Sequence, residues 1–294
     1  MNQELESNIV LLLSDKLGQK VELKSMRPIG GGCIHSASLM ETNVGDFFLK
    51  WNNRGPSDIF LREAESLTEL KKASQGYLSV PGVFAFKAID ETPGFLILEF
   101  LSGDGANKDS GEKLGKGLAL IHQYSSGKFG FYHDNYCGET IQDNGWQNNW
   151  CDFFIQNRIK YLLNLIQNRR YLPVHEYKVY DRLLERIPKL IPDKSTPVLI
   201  HGDLWSGNYM NSASGPALID PACYYADREM EFGIITMFGG FSARFFAAYN
   251  EVNPLPSEWR ERNLLYQLYH VLNHYYLFGG GYQSQAINIA KRYV

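Results

Sequence analysis

The chain has 294 residues, which is enough for one large domain or for two lobes that share a cleft. Hydrophobic residues make up 44% of it and charged residues 21%, as in an ordinary soluble globular protein, and the formal net charge of −3 excludes a global field that would attract nucleic acid or an anionic membrane. No apolar run approaches the roughly 20 residues that span a bilayer, so we expect neither a nucleic-acid partner nor a membrane partner.

The first third of the chain is predicted to be rich in strands. An amphipathic helix is predicted over 4–17, because its apolar residues recur at helical spacing. Strands and turns follow over 21–50 and a helix over about 58–74. Two further strands are predicted over 83–89 and 95–100, separated by turn residues.

Helical periodicity dominates the rest of the chain, and only two short apolar strands, 198–200 and 217–219, interrupt it. A strand-rich first part followed by a helix-rich remainder predicts an α+β protein of two lobes, an N-lobe over 1–102 and a C-lobe over 103–294. The predicted helices of the C-lobe lie over 111–125, 147–171, 176–190, 228–250 and 257–278.

The cysteines and the first residues indicate a compartment. No CxxC occurs, so neither a zinc knuckle nor a thioredoxin-type motif is indicated. The first six residues lack the basic start and apolar core of a secretory signal. We therefore expect a reducing cytoplasm. The four cysteines are Cys33, Cys137, Cys151 and Cys223.

The strongest chemical signal is the segment His201-Gly202-Asp203, followed by Asn208 and, after a predicted strand, by Asp220. Phosphoryl transfer needs a carboxylate that orients the attacking hydroxyl and accepts its proton, together with oxygen ligands for magnesium. The Asp-to-Asn spacing and the downstream Asp match the protein-kinase pattern. Asp203 is the candidate base, and Asn208 and Asp220 are the candidate magnesium ligands. The alternative is a turn whose side chains cap backbone groups.

A second signal is independent of the first. Lys50 lies in an apolar strand, and Glu63 falls inside the apolar stripe of the helix over 58–74, whereas Glu65 falls outside it. A carboxylate on a buried face needs a partner, which Lys50 can supply. A lysine held in this way can present its ammonium to the phosphates of ATP. The alternatives are a structural salt bridge or a snorkelling lysine.

A third signal is the glycine cluster Gly30, Gly31 and Gly32, upstream of the Lys50 strand. Glycines let backbone N–H groups approach a phosphate closely. The segment matches neither GxGxxG nor Walker A, and a plain hairpin turn is the alternative. Its position before the lysine strand favours phosphate binding.

These residues together resemble the fructosamine kinase (ketosamine 3-kinase) family, which belongs to a wider group with the aminoglycoside phosphotransferases and the choline kinases. Trp205 inside the loop and the run Asp220-Pro221-Ala222 are the more family-specific features. The resemblance covers nearly the whole chain, through the segments 30–34, 47–52, 60–67, 144–158, 201–208, 220–222 and 237–241.

The resemblance implies a protein-kinase-like fold, with ATP and magnesium between an N-lobe that contains an antiparallel sheet and a helical C-lobe. It implies phosphorylation of the 3-hydroxyl of a ketosamine, carried by a small amine or a protein lysine, and release of the amine when the 3-phosphate eliminates. By position, Lys50 and Glu63 would orient the phosphates, Glu99 and Leu101 would lie beside adenine at the hinge, and Trp205 would lie near the ketosamine.

Three questions stay open at this level. Trp146 and Trp150, four residues apart at a predicted helix start, belong either to the core or to a sugar-facing wall. The resemblance suggests that Cys33 is redox-sensitive, with a Cys33–Cys33 dimer as one form and an inert residue as the alternative, so the chain is expected to be a monomer or a homodimer. Asp227, Glu229 and Glu231 cap helices or contact the substrate ammonium.

The alternative functions are a kinase of another small hydroxyl compound and a non-catalytic nucleotide-binding protein.

Overall fold

The computed structural model describes residues 3–30, 35–90, 92–103, 109–170, 172–192 and 194–294. Its first part contains a five-stranded antiparallel sheet with the strand order β1-β2-β3-β5-β4. One helix, α1, precedes the sheet and a second, α2, connects β3 to β4. The bounds are α1 Gln3–Leu17, β1 Leu23–Ile29, β2 Ser36–Thr42, β3 Gly45–Asn52, α2 Ile59–Ser74, β4 Val83–Lys87 and β5 Gly94–Glu99.

The two faces of the sheet carry different partners, because side chains alternate along a strand. Phe47 and Leu49 on β3 pack in a small core with α1. The intervening Phe48 and Lys50 face the other way, toward α2 and the second part of the chain, as does Leu96, the partner of Lys50 on β5. The register of β3 therefore directs the Lys50 ammonium away from α1 and toward the interior of the protein.

The second part is mostly helical, which confirms the α+β prediction. In the described residues, three small two-stranded sheets with strands of three or four residues are inserted between its helices. The bounds are α3 Ser110–Ile121, β6 Asn135–Cys137, β7 Thr140–Gln142, α4 Trp150–Phe153, a π-helical turn Phe154–Lys160, α5 Tyr161–Arg169, α6 Val174–Leu190, β8 Val198–Ile200, β9 Tyr209–Ser212, β10 Gly215–Leu218, β11 Tyr224–Ala226, α7 Glu229–Met237, α8 Ala243–Val252, α9 Trp259–Phe278 and α10 Tyr282–Lys291.

Two predicted helices are wrong in detail. The helix predicted over 228–250 ends at Met237 and resumes at Ala243, because Gly239 and Gly240 between them have φ of 95° and 72°, a conformation that glycine adopts without a Cβ penalty. The helix predicted over 147–171 begins only at Trp150 and contains the π-helical turn.

The π-helical turn brings a buried arginine to the centre of the second part. The Arg158 guanidinium lies 3.9 Å from the ring centroid of Tyr224 and donates to the carbonyl of Asp143 at 2.6 Å and to Asn144 Oδ1 at 2.8 Å. Arg158 is fully buried. Carbonyl oxygens and ring faces thus replace the water that would otherwise solvate this cation.

The larger hydrophobic core includes α2 and extends through the helices of the second part. The segment before β4 also bonds to that part, since Ser79 pairs with Ala217 of β10. A division of the chain at residue 102 therefore stays a prediction. No helix in the described ranges combines the length and the apolar character that crossing a membrane requires.

Candidate active site

The loop after β8 carries the first group of predicted site residues. His201 and Gly202 leave the buried strand β8, and Asp203 follows at the edge of a large cavity. Gly202 has φ of +84°, and a Cβ at this position would lie 2.1 Å from the carbonyl oxygen of Ala222. Only glycine therefore lets the loop pass this close to the segment after Asp220.

A buried carboxylate from α7 holds this loop. Glu231 of α7 is fully buried and accepts the backbone N–H groups of His201 at 2.5 Å and of Gly202 at 3.1 Å. The sequence favoured a cap or a substrate contact for it, but its bonds go to the loop. Of its two acidic neighbours, Asp227 caps the N–H of Glu229, and Glu229 pairs with Arg262 at 2.7 Å.

Asp203 is the predicted base, and its surroundings favour the protonated form. Burial raises the pKa of Asp203 to about 8, and the charges of Asp220 and Glu231 add to this shift. A hydrogen bond that Asn208 Nδ2 donates to Asp203 Oδ2 at 3.0 Å opposes the shift in pKa. The same Asn208 amide bonds to the Asp203 carbonyl at 2.8 Å, so it orients both the side chain and the loop.

Lys50 joins the two predicted groups directly. Its Nζ lies 2.7 Å from Glu63 Oε1 on α2 and 2.6 Å from Asp220 Oδ1 after β10. Burial lowers the pKa of Lys50, but the two carboxylates outweigh burial and raise it. Burial likewise raises the pKa of Asp220, and the Lys50 ammonium outweighs this effect and lowers it. Both groups are therefore charged at neutral pH.

Asp220 adopts a backbone conformation that only a few residue types tolerate. Its φ is 55°, in the left-handed region, where Asp and Asn are enriched among non-glycine residues. The preceding residue, Ile219, bonds through its N–H to the carbonyl of Asn208 at 3.0 Å and through its carbonyl to His201 Nε2 at 2.9 Å. The two loops that carry Asp203 and Asp220 are thus bonded to each other.

One cavity of about 470 Å³ is lined by all five side chains that were predicted to orient the phosphates, accept the proton or bind magnesium. Lys50 and Glu63 reach its lining from β3 and α2, and Asp203, Asn208 and Asp220 reach it from the loops that follow β8 and β10. Its volume is typical of a small-molecule site. A carboxylate and an amide oxygen, from Asp220 and Asn208, can bind magnesium, and a buried ammonium suits a phosphate chain. The residues therefore fit a nucleotide with magnesium.

The remaining predicted nucleotide contacts lie along the rim. Gly30 and Leu101 line the cavity, whereas Gly31, Gly32 and Cys33 lie outside the described residues. Glu99 also lines it, but its carboxylate accepts the N–H of Gly82 at 3.0 Å and lies 3.5 Å from Lys71 Nζ. A contact from Glu99 to a ligand would therefore come from its backbone.

The two predicted substrate tryptophans occupy different places. Trp205 lines the cavity and is 36% exposed. Trp146 does not contribute to the cavity lining as described; it lies in the loop before α4, with its ring against Tyr132 at 5.8 Å and Tyr225 at 6.1 Å. Trp150 is a core residue, 2% exposed. The geometry thus supports a substrate contact for Trp205 and gives none to Trp146.

The β6–β7 hairpin forms a wall of the cavity that sequence reasoning missed. Asn135 and Tyr136 face the cavity, and their side chains are fixed by hydrogen bonds to the Cys223 carbonyl at 2.8 Å and to Asp58 Oδ1 at 2.6 Å. The Cys137 sulfur, a ring nitrogen of His270 and a carboxylate oxygen of Asp203 lie within 4.8 Å of one another. Strands of three residues carry no periodicity, so no sequence signal could have found this wall.

Comparisons with known proteins agree with this geometry. A family model described as fructosamine kinase matches residues 5–294. A chloroplastic protein-ribulosamine 3-kinase of Oryza sativa subsp. indica is 37% identical over 285 residues, covering 94% of this chain and 81% of the relative. The structure of a putative fructosamine-3-kinase from Haemophilus somnus has a TM-score of 0.85 at 27% identity, covering 97% of this chain and 96% of that one.

A more distant solved structure defines the fold. A ternary complex of an aminoglycoside phosphotransferase with AMP-PNP and hygromycin B has a TM-score of 0.63 at 14% identity, covering 97% of this chain and 98% of that one. At this identity the likeness concerns the fold alone. Together with the structure from Haemophilus somnus, it confirms the predicted protein-kinase-like fold.

Replacing Gly202 by alanine should displace the loop that carries Asp203. The new Cβ would meet a backbone oxygen at 2.1 Å, in a backbone conformation that alanine disfavours. We expect a loss of about 1–3 kcal/mol or more in the free energy of unfolding, measured by urea titration. Gly127→Ala is the control, because nothing lies within 4 Å of a Cβ there. Equal stability of the two variants would contradict this account of the loop.

Asp203→Asn should stabilise the protein in the absence of nucleotide and magnesium, and more so at high pH. The folded-state pKa of Asp203 is about 8 against an ordinary 3.8, so the cost of its ionisation to the folded state grows as pH rises through that window. Urea midpoints of the variant and the wild type, compared at about pH 5 and about pH 8, measure this. If the difference between the two midpoints does not grow with pH, the pKa of Asp203 is not raised in the folded protein.

Proposed function

Because the chain belongs to the fructosamine kinase family, we propose that it transfers the terminal phosphoryl group of ATP to the 3-hydroxyl of a ketosamine. One observation carries the proposal. The Lys50–Glu63 couple and the set of Asp203, Asn208 and Asp220 line a single cavity, and Lys50 bonds directly to Asp220. Phosphoryl transfer depends on positioning and charge stabilisation, and these are the groups that supply both.

ATP and magnesium are part of the proposal. The aminoglycoside phosphotransferase that shares this fold is in complex with AMP-PNP, which supports a nucleotide in the corresponding cleft. A bound magnesium ion would neutralise charge on the phosphate oxygens, and Asn208 and Asp220 are the residues that would hold it. Leu101, which lines the cavity, is proposed to contact the adenine through its backbone.

Each side chain has a definable part in the transfer. Lys50 presents a desolvated ammonium, and Glu63 keeps it in place on a helix that is packed into the core. Asp203 accepts the proton of the hydroxyl as that oxygen attacks the phosphorus, and its raised pKa makes it a stronger base than an exposed aspartate. Asn208 fixes the orientation of the Asp203 carboxylate.

The acceptor is proposed to lie between Asp203, Trp205 and the wall formed by the β6–β7 hairpin. Trp205 offers a ring face to the sugar or to its ammonium. The phosphorylated product would eliminate its 3-phosphate and free the amine, so the biological outcome would be deglycation. We propose the cytoplasm as the compartment, on the cysteine pattern and the need for ATP.

An acceptor panel tests the proposed function. The purified protein is incubated with ATP, magnesium and, in turn, a fructosamine, a ribulosamine, an aminoglycoside and choline, and ADP release is measured. We expect turnover with the ketosamines, and phosphorus NMR should place the new phosphate on the 3-oxygen. Turnover of the aminoglycoside or choline alone would overturn the acceptor class, and no turnover of any acceptor would overturn the kinase activity.

Asp203→Asn separates catalysis from binding. Loss of the general base should lower kcat for the ketosamine by roughly 10²–10⁴ and leave the dissociation constant of ATP largely unchanged. Asp152→Asn, an exposed aspartate on α4, is the matched control and should keep full activity. Equal rates for Asp203→Asn and the wild type would show that Asp203 is not the base.

A further inference from the structure

A row of aromatic rings leads from the cavity onto the surface of the second part. The Trp205 ring lies 5.8 Å from that of Phe238, measured between ring centroids, and Phe238 lies 5.7 Å from His274. His274 in turn lies 5.7 Å from Phe278 and 5.0 Å from Tyr282. We call these five residues the aromatic row. They come from the catalytic loop, the end of α7, the last turns of α9 and the start of α10.

The aromatic row is exposed where large apolar side chains are usually covered. Trp205 is 36% exposed, Phe238 45% and Phe278 66%. Burying such rings is favourable, and a contiguous exposed apolar patch marks a surface that binds something. The row begins inside the cavity, because Trp205 lines it beside Asp203. Its occupant is therefore an extension of the molecule that binds there.

The chemistry of the row suits the amine side of a ketosamine. The nitrogen of such an adduct is a secondary ammonium, and ring faces attract a cation. His274 adds no opposing charge, since its Nδ1 bonds to the His270 carbonyl at 2.7 Å and burial lowers its pKa. A sugar hydroxyl placed at Asp203 would leave the ammonium near Trp205 and Phe238.

The length of the row separates small amines from peptides. Three steps of 5.7–5.8 Å between centroids lead from Trp205 to Phe278. An extended peptide advances at most about 3.6 Å per residue, so a path of this length corresponds to several residues. A small amine can reach only the inner rings, whereas a peptide attached through a lysine can reach Phe278 and Tyr282.

We propose that the aromatic row binds the amine-bearing part of extended ketosamines, and that its outer rings, Phe278 and Tyr282, favour peptide-borne adducts over adducts of small amines. This inference rests on the proposed ketosamine kinase activity. It adds the class of amine and the residues that select it. Phe278 is not among the described residues that line the cavity, so its effect is expected on recognition rather than on the transfer.

The test compares two acceptors that share one sugar. One is the ketosamine of a small amine such as ethylamine, and the other is the same ketosamine on the central lysine of a nine-residue peptide. Phe278→Ala should lower kcat/KM for the peptide adduct about tenfold, the equivalent of about 1.4 kcal/mol of lost ring burial, and leave the small adduct within about twofold. Phe278→Tyr, which keeps the ring, should restore the peptide activity.

A matched control and a binding measurement complete the design. Phe86→Ala removes an exposed ring, 42% accessible, from β4 in the first part and should change neither acceptor. Equal losses for both acceptors, or no loss for either, would overturn the proposal. So would a change in the sedimentation mass of Phe278→Ala, which would make the row a contact between two copies of the chain.

Failure of the proposed function would be recognisable separately. If the wild type phosphorylates neither acceptor, the kinase assignment falls, and calorimetric titration with the peptide adduct still tests the row through binding. Weaker binding of that adduct to Phe278→Ala than to the wild type would support the row, and equal binding would overturn it.

Discussion

The bridge that Lys50 makes between Glu63 and Asp220 is the interaction on which the rest of the site depends. The two contacts of its ammonium, 2.7 and 2.6 Å long, join a strand, a helix and a loop that lies 170 residues further along the chain. Lys50 is 6% exposed. Breaking one partner of a buried ion pair costs about 3–5 kcal/mol because a charge is left unpaired. The ammonium therefore stays between the two halves of the cavity, where a phosphate chain would need it.

Around this bridge the site holds an excess of negative charge. The carboxyl groups of Glu63, Asp203, Asp220 and Glu231 lie in this region, and the Lys50 ammonium contacts two of them. Burial raises the pKa of Asp203, which suits a base, and the charges of Asp220 and Glu231 add to this shift. The same carboxylates make the binding of a divalent cation favourable. Glu231 contributes by position as well, because its bonds to two backbone N–H groups keep the loop rigid. The same carboxylates thus serve structure and chemistry.

The acceptor side is built by elements without a recognisable motif. The β6–β7 hairpin closes one wall of the cavity, and the aromatic row leads out of another. These residues come from short strands, helix ends and loops that are far apart in the chain. The residues that bind the phosphates belong to recognisable motifs, whereas those that would bind the acceptor do not. A kinase built in this way can change the amine it accepts without changing the residues that transfer the phosphoryl group.

The sequence by itself determined the α+β class, the order of the long elements, and the residues that supply charge, because helical and strand periodicity and the spacing of Asp203, Asn208 and Asp220 are local properties. It also placed Glu63 rather than Glu65 toward Lys50, since helix geometry decides which face a residue takes. Only the tertiary structure decided that Glu231 holds the loop, that Gly239 and Gly240 divide a helix, and that Trp205 rather than Trp146 reaches the cavity. Those outcomes depend on which distant segments pack together, and packing between segments leaves no period in the sequence.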